Sequence, residues 1–86
     1  MLIKRLKEAR LRAGLSQCQL GVLAGVDEAS SSARMNQYEK GKHQPDLETV
    51  KRIAKVLDVP VAYLYAEEDD LAALIIVFHE NRKQSV

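Results

Sequence analysis

The sequence predicts an all-α domain, and three observations carry the prediction. Apolar residues recur at helical spacing along most of the chain. Capping residues and helix-ending glycines fall between the apolar stripes, and no Gly/Ser-rich linker or internal repeat separates them. Five stripes joined by loops of a few residues make a compact five-helix bundle, followed by an apolar C-terminal extension.

Leu2, Leu6, Ala9 and Ala13, with Ile3 beside them, make residues 2–13 an amphipathic helix. Gly14 supplies its left-handed terminal residue and Leu15 the apolar contact after it. Ser16 and Gln19 form a capping box that opens a second helix through Ala24, with Leu20, Leu23 and Ala24 inward and Gly25 at its end. Asp27 to Ser32 is polar, and Ser30, Ser31 and Ser32 are candidate N-caps. A third helix is expected from about Ser31 to Lys40, turned inward at Met35 and Tyr38 and closed by Gly41. Asp46 caps a fourth helix whose buried stripe is Leu47, Val50, Ile53, Ala54 and Leu57. Pro60 suits the first turn of a brief fifth helix containing Val61, Leu64 and Tyr65.

The acids Glu67 to Asp70 precede Leu71-Ala72-Ala73-Leu74, which favours a helix. The partly β-branched run Leu74–Phe78 leaves a strand open, and helix is preferred over strand. The bundle is assigned residues 1–66, and the acidic, apolar extension residues 67–86.

A chain of 86 residues holds one domain. Its longest stretch without Asp, Glu, Lys or Arg, Ala13–Val26, has 14 residues and includes Ser16, Gln17 and Gln19, too short and polar to span ~30 Å of hydrocarbon. Glu8, Arg10 and Arg12 stand where a signal peptide needs an apolar core. Cys18, the one cysteine, excludes an internal disulfide and a multi-cysteine metal site, and reads as an inert thiol. These features predict a cytoplasmic protein with no membrane partner. His43 and His79 lie 36 residues apart without further ligands, so no metal or cofactor is expected. No nucleophile–base pair, metal triad or phosphate loop points to an enzyme.

The net charge of +1 divides unevenly. Residues 1–57 carry 11 basic against 6 acidic side chains, net +5; residues 58–86 carry 2 against 6, net −4. Such asymmetry hints at a nucleic-acid or membrane partner for the basic part. Within that part, Arg10 projects from the apolar side of helix one, and Glu39 lies four residues after Met35 at the edge of helix three's inward stripe. A partly buried charge needs an opposite partner. An Arg10–Glu39 ion pair answers that need; two separate solvent-exposed charges fit the spacing equally.

The order Arg10-x-x-x-Gly14-Leu15-Ser16-Gln17-x-x-Leu20-Gly21-x-x-Ala24-Gly25-Val26, then Tyr38-Glu39-Lys40-Gly41-Lys42, Pro45 and Leu47, resembles the phage-repressor or Cro-like helix-turn-helix regulators of the xenobiotic-response-element type. The resemblance covers residues 3–65. It implies a lambda-repressor-like bundle that binds DNA and is braced by a pair at Arg10 and Glu39. Where the family has about seven residues before the Tyr38 motif, this chain has eleven, Asp27–Gln37, room for an extra helical turn or a longer loop. Gly21 stands where alanine is usual, and either residue is expected to let helix three approach helix two.

With Met35 and Tyr38 inward, Ala33, Gln37 and Lys40 point outward, flanked by Arg34, Asn36 and Ser30. The resemblance implies base readers at Ser32, Ala33 and Gln37. Gln37 or Asn36 suits adenine, Arg34 guanine, and Ala33 a thymine methyl; for Arg34 and Asn36 a plain solvated face stays open. Phosphate contacts are expected from Ser16 and Gln17 at the start of helix two, and from Lys40, Gly41, Lys42 and His43 after helix three. Lys51, Arg52 and Lys55 read as a solvated face.

The expected partner is a palindromic double-stranded DNA operator bound by a homodimer, the protein acting as a transcriptional regulator, in the first instance a repressor. Leu71, Leu74, Ile75 and Phe78 are the candidate dimer contacts, because the run Leu71–Phe78 is too apolar to be left in water. No small-molecule effector is expected. The alternatives are the antitoxin of a toxin–antitoxin pair, and a protein–protein interaction module that has lost DNA binding.

Overall fold

The computed structural model describes residues 1–84 and, among them, consists of six α-helices without a strand. They are α1 (Ile3–Arg12), α2 (Gln17–Leu23), α3 (Glu28–Glu39), α4 (Leu47–Leu57), α5 (Val61–Tyr65) and α6 (Asp69–Gln84). Within the extension, the described residues from Asp69 to Gln84 form a helix, not a strand. None of the described helices is long and apolar enough to cross a membrane.

One core forms because each of the first five helices contributes a fully buried side chain: Leu6, Leu20, Met35, Val50 with Ile53, and Leu64. Ala72 of α6 closes it from the far side. The helix starts follow capping chemistry. Ser16 and Gln19 exchange reciprocal hydrogen bonds of 3.0 and 2.8 Å, and Asp46 accepts the Thr49 amide at 2.9 Å.

The third helix begins one turn earlier than the serine caps suggested. Asp27 is the N-cap, its carboxylate accepting the Ala29 amide at 3.2 Å, so the additional residues extend α3 at its start. Ser31 does not cap anything. It is fully buried inside α3 and its hydroxyl donates to the Cys18 carbonyl at 2.8 Å. A mid-helix serine is stable there because its hydroxyl finds a partner across the helix contact. Gly21 faces it, and a Cβ at that position would stand 1.9 Å from the Ser31 Oγ. Glycine and alanine are therefore not equivalent at position 21 in this chain.

Three side chains assigned to the buried stripes or to solvent lie elsewhere. Leu23 is 61% exposed, because α2 turns Gly21 and Ala24 toward its neighbours instead. Leu47 is exposed in the first turn of α4, while Val50, Ile53, Ala54 and Leu57 are buried. Arg52 is not part of a purely solvated face: its Nε donates to the Ala24 carbonyl at 2.8 Å and caps the end of α2.

Arg5 is buried as well. Arg5 donates to the Ala66 carbonyl at 2.9 Å and to Asp69 Oδ1 at 2.9 Å, tying α1 to the start of α6. Lys4 joins it on Asp69 at 3.0 Å. At the other end of α6, Asp58 accepts from Lys83 and lies 3.0 Å from His79 Nε2. The Lys4 and Arg5 hydrogen bonds hold the Asp69 carboxyl below the usual carboxylate range, and those of Lys83 and His79 do the same for Asp58.

Two outcomes follow. Gly21→Ala lowers stability by about 1–3 kcal/mol through overpacking, despite alanine's better helix propensity. In a Ser31→Ala background that loss shrinks, which a double-mutant cycle in urea measures. Separately, both carboxyls have folded-state pKa values lowered from an unfolded value of about 3.9. Their contribution is present above that value and is lost as pH falls below it. In an acid titration followed by NMR, the α6 amides of Ala72 and Ile76 respond before those of Leu6 and Ile53.

Candidate nucleic-acid interface

The orientation of α3 rests on one ion pair. Arg10 Nε meets Glu39 Oε2 at 2.5 Å and Arg10 Nη2 meets Oε1 at 3.0 Å, a bidentate geometry. Nη1 donates to the Leu15 carbonyl at 2.9 Å, which anchors the α1–α2 loop as well. Both side chains are nearly out of water, at 10% and 5% exposure. Gln17, the first residue of α2, extends the network: its amide nitrogen lies 3.3 Å from both Glu39 Oε1 and Asn36 Oδ1. A continuous polar chain thus runs from α1 through α2 to the outer surface of α3.

Ser31, Met35 and Tyr38 hold the rear of α3 against the bundle. Ser32, Ala33, Arg34, Asn36 and Lys40 are exposed on its front and sides, and Gln37 is half-buried. Gln37 and Arg34 border a shallow cleft with His43 and Gln44. Ala29, one turn before Ala33, extends the exposed front. The sequence-predicted start of α3 at Ser31 leaves Ala29 outside the helix, whereas the Asp27 cap places it in the first turn.

The two edges of this front carry donors. At the α2 edge, the Ser16 side chain is occupied by the capping box, and Gln17 is turned toward Asn36 and Glu39. The remaining amides of the first turn of α2 are the groups open to an anion there. At the other edge, Lys40, Gly41, Lys42 and His43 are all exposed in the turn after α3. Gly41 holds a positive φ of 74°, and a Cβ on it would stand 2.7 Å from Ile3 Cδ1. Among the described residues no three or more His, Cys, Asp or Glu side chains gather as a metal site.

The candidate dimer residues lie far along the chain from α3. Leu71, Leu74 and Phe78 are exposed on α6, the latter two at 66% and 60%, while Ile75 is half-buried and packs against the core. The Arg82 guanidinium stands 5.1 Å above the Phe78 ring.

The chain matches the helix-turn-helix family model over residues 6–64. It belongs to the helix-turn-helix family. The family match runs from Leu6 in α1 to Leu64 in α5 and leaves α6 outside it. Among solved structures, that of the transcriptional regulator BswR is 55% identical and superposes with a TM-score of 0.89, covering 98% of this chain and 87% of that one. A comparison with curated proteins finds no significant match. In this helix-turn-helix protein, α2 and α3 are the paired helices, joined through Ala24–Asp27.

Removing one member of the buried pair leaves the other charge stranded. Glu39→Ala is expected to cost about 3–5 kcal/mol in urea unfolding and to loosen Gln17 as well. Replacing both Arg10 and Glu39 by apolar residues of similar volume costs less than Glu39→Ala alone.

Proposed function

We propose that this protein is a repressor that reads a palindromic operator as a homodimer, with α3 in the major groove. The coarser statement needs less: by its family and its likeness to BswR, it is a DNA-binding transcriptional regulator.

The observation that carries the reading is the uncovered front of α3. Its rear is clamped by the core and by the Arg10–Glu39 pair, and donors flank it on both sides. In that groove Ala33 and Gln37 are the central readers, with Ser32, Arg34 and Asn36 beside them. Asn36 already shares its Oδ1 with Gln17, so its amide group is the part left to donate to a base. The first turn of α2, with Ser16 and Gln17, and the turn Lys40–His43 grip the phosphates. Repression then follows from occupying DNA that another factor needs. Its place of action is the cytoplasm, where such DNA lies.

Two recognition helices reach successive major-groove faces when their half-sites are ~34 Å apart. The ridge Leu71, Leu74, Ile75 and Phe78 on α6 supplies an apolar surface for the second copy.

Selection from a random DNA pool tests the operator, the homodimer and the α3 reading together. Two inverted half-sites with centres about 10 base pairs apart are expected. Gln37→Ala is expected to cost ~1–3 kcal/mol and to relax preference at a single position of each half-site. Failure to enrich any sequence, or binding that does not weaken between about 50 and 200 mM salt, overturns the reading in favour of a protein-interaction module.

A further inference from the structure

A cleft of about 760 Å³ lies between α1 and α6, and no residue of α3 lines it. It continues past Arg12 and Ile76 into a smaller hollow of about 260 Å³. Cavities of this size hold small organic ligands. The floor is the buried Tyr63, and the α6 wall presents Ala72, Ala73 and Ile76, whose two alanines leave the space open.

The charges around the cleft are unequal in what they are already doing. Lys4 and Arg5 are both committed to Asp69, and Arg5 also to the Ala66 and Glu67 carbonyls. Glu8 lies 3.4 Å from Arg5. Arg12 is different: among the described residues it has no ion pair or hydrogen bond, and its guanidinium rests 5.4 Å from the Tyr63 ring centroid. The Tyr63 hydroxyl has no hydrogen-bond partner among the described residues either, although its ring is buried, and it is not sealed from solvent. A guanidinium without an ion pair and a phenol without a hydrogen-bond partner therefore border one cleft, with charged residues along α1 and an apolar stretch of Ala72, Ala73 and Ile76 along α6.

We propose that this cleft binds a small organic carboxylate. The Arg12 fork matches a carboxylate bidentately, the Tyr63 hydroxyl donates a further hydrogen bond, and the ligand's apolar body lies against Ala72, Ala73 and Ile76. A cationic ligand is disfavoured, since the acids at the cleft already face Lys4 and Arg5. One wall of the site is α1, whose Arg10 faces the opposite way to brace α3; the other is α6, which carries the apolar ridge. A bound carboxylate bridges the two. The effect of this bridge on operator binding rests on the function proposed above, whereas the site itself does not.

The test uses the full chain, labelled with nitrogen-15, and needs no DNA. Benzoate and octanoate are titrated at constant ionic strength to about 20 mM, with benzyl alcohol as the neutral control. Expected are saturable amide shifts at Arg12, Tyr63, Ala72 and Ala73 with a Kd of about 1 mM, and at least about tenfold weaker binding of the alcohol. Arg12→Gln weakens carboxylate binding about tenfold. Ala73→Phe, which fills the cleft from an exposed position, abolishes the shifts while the thermal midpoint is retained. The proposal is overturned by an absence of saturable shifts in the unsubstituted protein, by equal affinity for the alcohol, or by undiminished binding in Arg12→Gln.

Discussion

The Arg10–Glu39 pair is the constraint on which the rest of the structure depends. A charge taken out of water is costly, and this pair offsets that cost only through complete engagement of its atoms. Arg10 spends two nitrogens on the carboxylate and the third on the Leu15 carbonyl. The geometry leaves α3 one rotation about its axis relative to α1, and therefore one set of outward residues. Gln17 transmits the same constraint to α2, so the first turn of α2 and the front of α3 move as one body. A surface assembled from two short helices needs that coupling more than it needs length.

The contact between α2 and α3 is fixed by different means. Here the spacing is set by atoms that are missing and by one hydroxyl. Gly21 removes the side chain that would meet Ser31, and Ser31 uses the vacated space to reach the Cys18 carbonyl. The additional turn at the start of α3 would otherwise lengthen the helix into solvent. Ser31, directly after it, instead seats the helix on α2, and Asp27 satisfies the amides at its tip. The longer α3 is thus a packed element from its first turn, with exposed Ala29 and Ala33 on its front.

Much of this organisation was readable in the sequence where one residue type has one physical use. The Ser16/Gln19 box, the Asp46 cap, the glycines after α1, α2 and α3, and the 3–4 spacing through Val50, Ile53, Ala54 and Leu57 all locate elements without reference to neighbours. What was not readable depends on a partner distant in sequence. Ser31 resembled a cap because serines favour caps; only the proximity of Cys18 makes it a core residue. Leu23 and Leu47 fit an apolar stripe by spacing, yet no neighbouring helix covers them. Arg5 and Arg52 look like solvent charges until the carbonyls of Ala66 and Ala24 are seen beside them. A signal for Arg5 existed in its position three residues after Leu2 and four before Ala9, on the same side as the buried stripe. On α3, spacing identified the outward side, but the half-burial of Gln37 and the Gln17–Asn36 contact depend on how α2 and the turn after α3 are seated.

The sixth helix is anchored near both ends, by Lys4 and Arg5 on Asp69 and by His79 and Lys83 on Asp58, with Ala72 embedded between them. Two tethers, one near each end, resist sliding and swivelling of α6 on the bundle. If two copies join through this ridge as proposed, the separation of their α3 helices is set by α6. Each base pair added between half-sites rotates one of them by about 35° around the duplex axis. A rigid coupling cannot follow that rotation. Selectivity for operator spacing would in that dimer be a mechanical property of α6, separable from the base recognition proposed for α3.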